Sequence, residues 1–292
     1  MKLAMFREGG RDRIGVVQAD TIIDVTAGLP AHSPELIDWL PGMDTSWQIL
    51  AMLAQQSTVR LPLSTVRLLP PVRRPAAFLA IGGNYESHIR EIAHLNVTVG
   101  EHQIWFNKQV SCITGPYDDL VVPEGMSTLD YEVELAVIIG RPCRKVCARD
   151  AAKYIAGYTV SNDASIRERH GRSPTITLAK SFDSLGPLGP WMVTADEIPD
   201  PHSLQVRTWV NGELRQDGNT AEMRFNIFEQ IEELSHAMTL QPGDVLATGT
   251  PAGIGATRQP PLFLLPGDVV RMQIEGIGEI ENRVVASRPE KD

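Results

Sequence analysis

The chain has 292 residues, 27 of them basic and 36 acidic for a formal net charge of −9, and it is 42% hydrophobic and 22% charged. That is an ordinary globular mixture, which excludes collagen-like, coiled-coil and disordered readings. The acidic balance argues against a generic nucleic-acid binder or a protein lying on anionic membranes, although a small anionic substrate needs only local positive charge.

In chain order, residues 1–25 read as a small β unit. Lys2–Phe6, Ile14–Gln18 and Thr21–Val25 have strand character, and Glu8-Gly9-Gly10-Arg11-Asp12 forms a turn between the first two. Residues 34–58 lean towards helix, with Leu36, Leu40, Trp47, Leu50 and Leu53 at loosely helical spacing. Pro62, Pro70, Pro71 and Pro75 punctuate the connector, and a boundary near residue 70 separates a small domain, 1–70, from a larger one, 71–292. Short strands then follow, broken by Gly, Pro, Asn and Asp: Ala77–Ile81, Glu132–Ile139, Gly157–Ser161, Gln205–Val210 and Val269–Glu275. Helices are expected at Tyr85–Leu95, Ala148–Tyr154 and Ile227–Met238. The fold class expected is α+β and β-rich, with a few covering helices.

No apolar stretch approaches the ~18 residues of a spanning helix, and the N-terminal segment becomes charged too soon for a signal peptide. Cys112, Cys143 and Cys147 cannot build a disulfide framework, and they lack the second Cys or His pair that zinc would need. The expectation is a reducing, cytoplasmic setting, with no membrane and no nucleic acid as partner.

Chemistry concentrates in a few places. In Tyr131-Glu132-Val133-Glu134-Leu135 alternate side chains of a strand share a face, so Glu132 and Glu134 point one way and Tyr131, Val133 and Leu135 the other. The strand then turns wholly apolar. Two like charges entering a core need a compensating cation, and a hard divalent ion such as Mg²⁺ or Mn²⁺ suits carboxylates; an edge strand with one solvated face is the alternative. Asp163, in Asn162-Asp163-Ala164-Ser165, stands at a strand end, where it is either a third ligand or an ordinary turn former. His88 and Glu91 are neighbours at i, i+3 on a helix after a glycine turn, either a general-base pair or a surface pair. Lys180 precedes a rigid Gly/Pro loop, 186–190, as a possible oxyanion partner. The polar run Arg167–Arg172 reads as a lid or a solvated loop. Residues 241–255 are Gly-rich but have neither Gly-Lys-Ser/Thr nor a GxGxxG opening a helix, so nucleotide binding gains no support.

The order of these motifs is more specific than any one of them. Gly-Asn-Tyr-x-x-His-x-x-Glu, Tyr-Glu-x-Glu-Leu-Ala, Asn-Asp-x-Ser, Lys-Ser-Phe-Asp-x-x-x-Pro-x-Gly-Pro, Asn-Gly-Glu-Leu-Arg-Gln and Gly-Asp-Val-x-x-Thr-Gly-Thr-Pro-x-Gly closely resemble the fumarylacetoacetate hydrolase family over roughly residues 75–285. The resemblance implies a mixed β-sandwich roll preceded by a short leader domain, and a homodimer. It implies Glu132, Glu134 and Asp163 as the Mg²⁺ or Mn²⁺ ligands, His88 and Glu91 as a water-activating dyad, and Lys180 as a catalytic lysine. It also implies Tyr85, Lys108, Arg167 and Thr250 as residues around the substrate. Two departures stand out: Glu168 replaces the Asp that usually follows the arginine, and Ser173–Ala179 replaces the usual Gln-Trp-x-x-Gly loop. The segment Ile92–Trp105 is individual too and would form a lid.

The function these parts imply is hydrolysis of a carbon–carbon bond in a 2,4-dioxo acid through a metal-bound enolate. His88 would activate water and Lys180 would stabilise the oxyanion. Decarboxylation, isomerisation or hydration of another 2-oxo acid on the same scaffold is the alternative.

Overall fold

The computed structural model describes residues 1–30, 35–95 and 99–287. Its organising strand is Val133–Ile139, buried at every position. The apolar run after Glu134 requires that, because a strand with neighbours on both edges and layers on both faces has no solvated side. Ile155–Asn162 pairs antiparallel with one edge and Val245–Ala247 with the other.

From there a twelve-stranded sheet extends both ways. Phe78–Gly82 runs parallel to Val245–Ala247, and Ile104–Lys108 closes that end. In the other direction Ile155–Asn162 meets Gly186–Thr194, which pairs with Lys2–Glu8 at Lys2↔Val193 and Leu3↔Met192. The strands of the first 70 residues therefore continue the sheet that carries the central strand. A second sheet of five strands, in the order Glu213–Asn219, Gln205–Val210, Val269–Ile274, Gly278–Ala286 and Leu120–Val122, packs across one face.

The period-two alternation of the central strand assigns its two faces. Tyr131, Val133, Leu135 and Val137 share a core with Val206, Met272 and Ile280 of the second sheet, whereas Ala136 and Ile138 pack with Leu3, Leu40 and Leu50 of the N-terminal unit. The result is the β-rich mixed sandwich expected from the sequence.

Local boundaries differ where backbone chemistry intervenes. The helix-leaning stretch divides into a turn at Leu36–Trp39 and a helix at Met43–Gln56, because Pro41-Gly42 falls between them. The expected helix at Tyr85–Leu95 is α-helical over Glu86–Ile92 and tightens into a 3₁₀ turn at Ala93–Leu95. Ala148–Tyr154 is one α turn followed by a 3₁₀ turn. Ile227–Ala237 starts on Asn226, whose side chain accepts from the Phe228 and Glu229 amides while the Glu229 side chain returns to the Asn226 amide. Among the described residues, no helix is long and apolar enough to cross a membrane.

Candidate active site and metal centre

Three carboxylates converge where the central strand begins and its neighbour ends. Val133 pairs with Asn162 and Glu134 with Ser161, which sets Glu132 opposite Asp163, and the Asp163 amide donates to Glu132 O at 2.9 Å. Asn162 Oδ1 accepts from the Glu132 amide at 3.1 Å, fixing the chain just before the strand. One oxygen from each of Glu132, Glu134 and Asp163 lies within 4.8 Å of the other two, and all three residues are buried.

Cations from three other segments answer this charge. Lys180 Nζ donates to Glu132 Oε2 at 2.5 Å and to Asp163 Oδ2 at 2.6 Å. Lys108 Nζ is 2.8 Å from Asp163 Oδ1 and donates to the backbone oxygens of Lys180 and Leu185. Arg167 bridges Asp130 Oδ2, at 2.8 Å, and Glu132. With all of them ionised, four carboxylates (Asp130, Glu132, Glu134, Asp163) face three cations, a formal charge of −1.

The balance is uneven. Burial disfavours the Glu132 carboxylate, but Lys180 and Arg167 outweigh it and hold the group well below the usual carboxyl range. Burial pushes Glu134 well above that range, with the charges of Asp163 and Glu132 adding to the effect and Lys180 and the Gly249 N–H opposing it. Glu134 is thus the carboxyl of the cluster on which a proton is favoured while no ion is bound, with one backbone donor, Gly249 N at 2.8 Å, on Oε2. A closed cluster of hard oxygen donors short of positive charge fits Mg²⁺ or Mn²⁺. Glu132, Glu134 and Asp163 are the residues that would hold the ion.

Beside the cluster lies a cavity of about 340 Å³, walled by Ile81, Ile92, Phe106, Ile176 and Ile254 and entered by His88, Arg167, His170, Lys180 and Thr250. His88 is buried, and its Nδ1 faces Glu91 Oε1 at 2.7 Å. With the Nδ1 proton held there, Nε2 is the basic nitrogen. Glu91 is itself fixed, because its Oε2 accepts from the Gly253 amide and the Thr257 hydroxyl, each at 2.8 Å. Thr250 Oγ1 accepts from Gln216 Nε2 at 2.8 Å, which turns its proton to face elsewhere. His170 is held neutral: burial first, then the charges of Arg167 and Lys180, bring it down to about 3.

The structure therefore gathers Glu132, Glu134, Asp163, His88, Lys180, Arg167 and Thr250 around one cavity, with Glu91 directly behind His88. Two residues expected at the substrate stand outside its wall. Lys108 is sealed beneath Asp163 as a countercharge. Tyr85 is wholly buried, and its hydroxyl has no hydrogen-bond partner. The Ile92–Trp105 segment lies partly outside the described residues, though Ile92 and Leu95 line the cavity. Asp130, Gln216, Gly253 and Thr257 were not singled out from the sequence. Each acts through a contact more than 30 residues away in the chain, which no local motif signals.

The family model described as fumarylacetoacetate (FAA) hydrolase C-terminal matches residues 77–285. The chain belongs to the fumarylacetoacetate hydrolase family. Oxaloacetate tautomerase FAHD2B, mitochondrial, of Bos taurus is 42% identical over 269 residues, covering 90% of this chain and 84% of that protein. Maleylpyruvate hydrolase from Sphingobium sp. SYK-6, solved in complex with manganese(II) ion and pyruvate, superposes with a TM-score of 0.83 at 34% identity over 99% of this chain and 100% of that one. The 2-hydroxyhepta-2,4-diene-1,7-dioate isomerase of Mycobacterium marinum gives a TM-score of 0.77 at 30% identity, covering 98% and 99%. Family members similar to this chain are thus enzymes with differing reactions on one architecture.

Proposed function

We propose that the chain is a Mg²⁺- or Mn²⁺-dependent enzyme that interconverts the keto and enol forms of a small 2-oxo acid of the oxaloacetate type. The observation that carries this reading is the pairing of an oriented imidazole, His88 on Glu91, with three buried carboxylates at one cavity. The 42% identity to an oxaloacetate tautomerase over 90% of the chain supports the choice of reaction. Held by Glu132, Glu134 and Asp163, the ion would supply Lewis-acid polarisation of the acid, which would make the C–H beside its keto group more acidic. His88 Nε2 takes that proton while Glu91 balances the imidazolium. Lys180 places positive charge next to the keto oxygen as it gains negative charge. The proton returns to oxygen or to carbon, which completes the interconversion in either direction.

Carbon–carbon hydrolysis of a 2,4-dioxo acid is the second reading, supported by the full-length likeness to maleylpyruvate hydrolase. It uses the same dyad to deprotonate water. A homodimer in the cytoplasm is proposed with either reading, and light scattering tests the dimer.

The test follows oxaloacetate keto–enol relaxation and acetylpyruvate cleavage side by side, with Mg²⁺ and with a chelator. Relaxation above the uncatalysed rate, lost with the chelator and in His88→Ala, is expected. Full activity in either condition would refute the roles given to the cluster or to His88, and cleavage without relaxation would favour hydrolysis.

A further inference from the structure

The loop at 253–257 grips two carboxylates at once. Glu91 Oε2 accepts from the Gly253 amide and the Thr257 hydroxyl, both at 2.8 Å. Two of the three amides between them in sequence, those of Gly255 and Ala256, donate at 2.7 and 3.0 Å to Asp130, which has no exposed surface. Asp130 in turn accepts from Arg167, which reaches Glu132. The two ends of the loop thus orient the imidazole through Glu91, and its middle anchors a guanidinium on the carboxylate cluster. The loop is itself held in place: Gly253 has φ +109°, a Cβ there would meet Arg215 O at 2.1 Å, and the Tyr131 hydroxyl donates to Gly253 O at 3.1 Å.

We infer that Thr257 is a positioning residue for the reaction, acting through Glu91 to hold the His88 imidazole at a fixed orientation. The last torsion of a glutamate is broad, so one amide donor on Oε2 leaves the carboxylate plane free to rock. A second donor from a different direction fixes that plane, and with it the direction in which Oε1 meets His88 Nδ1 at 2.7 Å. The Thr257 hydroxyl is also 2.9 Å from Ile254 O, but it has one proton to give, and an ionised carboxylate is the stronger acceptor.

The inference rests on the proposed proton transfer by His88, and its test has an arm that does not. Thr257→Val removes the hydroxyl and keeps the branched shape, while Thr257→Ser keeps the hydroxyl. In the full-length, Mg²⁺-loaded enzyme, Thr257→Val should lower kcat about tenfold, the loss expected for one charge-assisted hydrogen bond, with KM unchanged. Thr257→Ser should restore kcat. Independently of turnover, the Nδ1 proton of His88 in ¹⁵N-labelled protein, assigned by its absence in His88→Gln, should broaden in Thr257→Val and stay sharp in Thr257→Ser. Wild-type kcat and a sharp resonance in Thr257→Val would overturn the inference, as would a rise in KM alone or a Thr257→Ser protein that behaves like the valine variant. Should Thr257→Val fail to fold, Thr257→Ala takes its place as the hydroxyl-free variant. If the wild type turns over neither oxaloacetate nor acetylpyruvate, the proposed function fails, while the resonance still decides the role of Thr257.

Discussion

Lys108 offers a direct measure of how the carboxylate cluster is balanced. Its ammonium has no solvent exposure and sits 2.8 Å from Asp163 Oδ1, with the Lys180 and Leu185 carbonyls completing its shell. Burial alone would lower its pKa, but Asp163, Cys112 and Glu132 together outweigh burial and raise it, so the group is charged. Lys108→Met keeps most of the side-chain volume and removes the charge. Asp163 Oδ1 then faces no cation, two carbonyls lose a donor, and the cluster becomes more negative by one charge, from −1 to −2 when every group is ionised. Breaking a buried ion pair from one side costs about 3–5 kcal/mol. At roughly 2–4 °C per kcal/mol for a chain of this size, the melting temperature should fall by roughly 6–20 °C in chelator. Calorimetric melts with and without Mn²⁺ give the assay. The ion should narrow the gap, because a more negative cluster binds it more tightly and ligand binding to the folded state alone raises stability. A variant that melts with the wild type in chelator would refute the account of Lys108 as the countercharge of Asp163.

Three further outcomes follow from the same geometry. The folded-state pKa of Glu134 is raised, so between the ordinary carboxyl value and that raised value the metal-free protein binds more protons than its unfolded chain and its stability falls as pH rises. Ion binding should expel that proton, and calorimetric heats near neutral pH should differ between buffers of unlike ionisation enthalpy; identical heats would contradict it. Gly253→Ala puts a Cβ 2.1 Å from Arg215 O at a φ of +109°, so it should destabilise by more than about 1 kcal/mol and lower turnover by moving the amide that holds Glu91, read from melts and rates together. Tyr85→Phe deletes a buried hydroxyl without a partner and should leave the melting temperature level or higher; a clear drop would reveal a contact not described for it.

How far the sequence foretold this site depends on the range of each interaction. The alternation around Glu132 and Glu134 was legible because period two is a property of the strand itself, and the buried faces of Tyr131, Val133 and Leu135 follow it. The His88–Glu91 pair was legible because i, i+3 spacing on a helix is local. Asp130 was not legible. It stands two residues before Glu132 and looks like one more strand-edge acid, yet its partners are the Gly255 and Ala256 amides, 125 and 126 residues on. Lys108 looked like a substrate ligand because its charge was visible and its burial beneath Asp163 was not. The helix at 34–58 divided where Pro41-Gly42 had already announced a break that the leucine spacing obscured.

Lys180 has two roles that pull in opposite directions, and that conflict can be measured. Its ammonium reaches Glu132 Oε2 and Asp163 Oδ2, two of the three carboxylates that would hold the ion. Unit charges about 4 Å apart interact by about 4 kcal/mol at an effective dielectric of 20, and a divalent ion doubles the repulsion. Much of that is relieved if the lysine swings towards the cavity, where the keto oxygen of the acid would sit. Lys180→Met should therefore bind Mn²⁺ more tightly, by about tenfold or more, and turn over substrate far more slowly. Titration calorimetry and rates on the same preparation separate the two effects. Weaker Mn²⁺ binding in the variant would mean that the ammonium gathers the carboxylates rather than competing for them, and the charge balance drawn for the cluster would then be wrong.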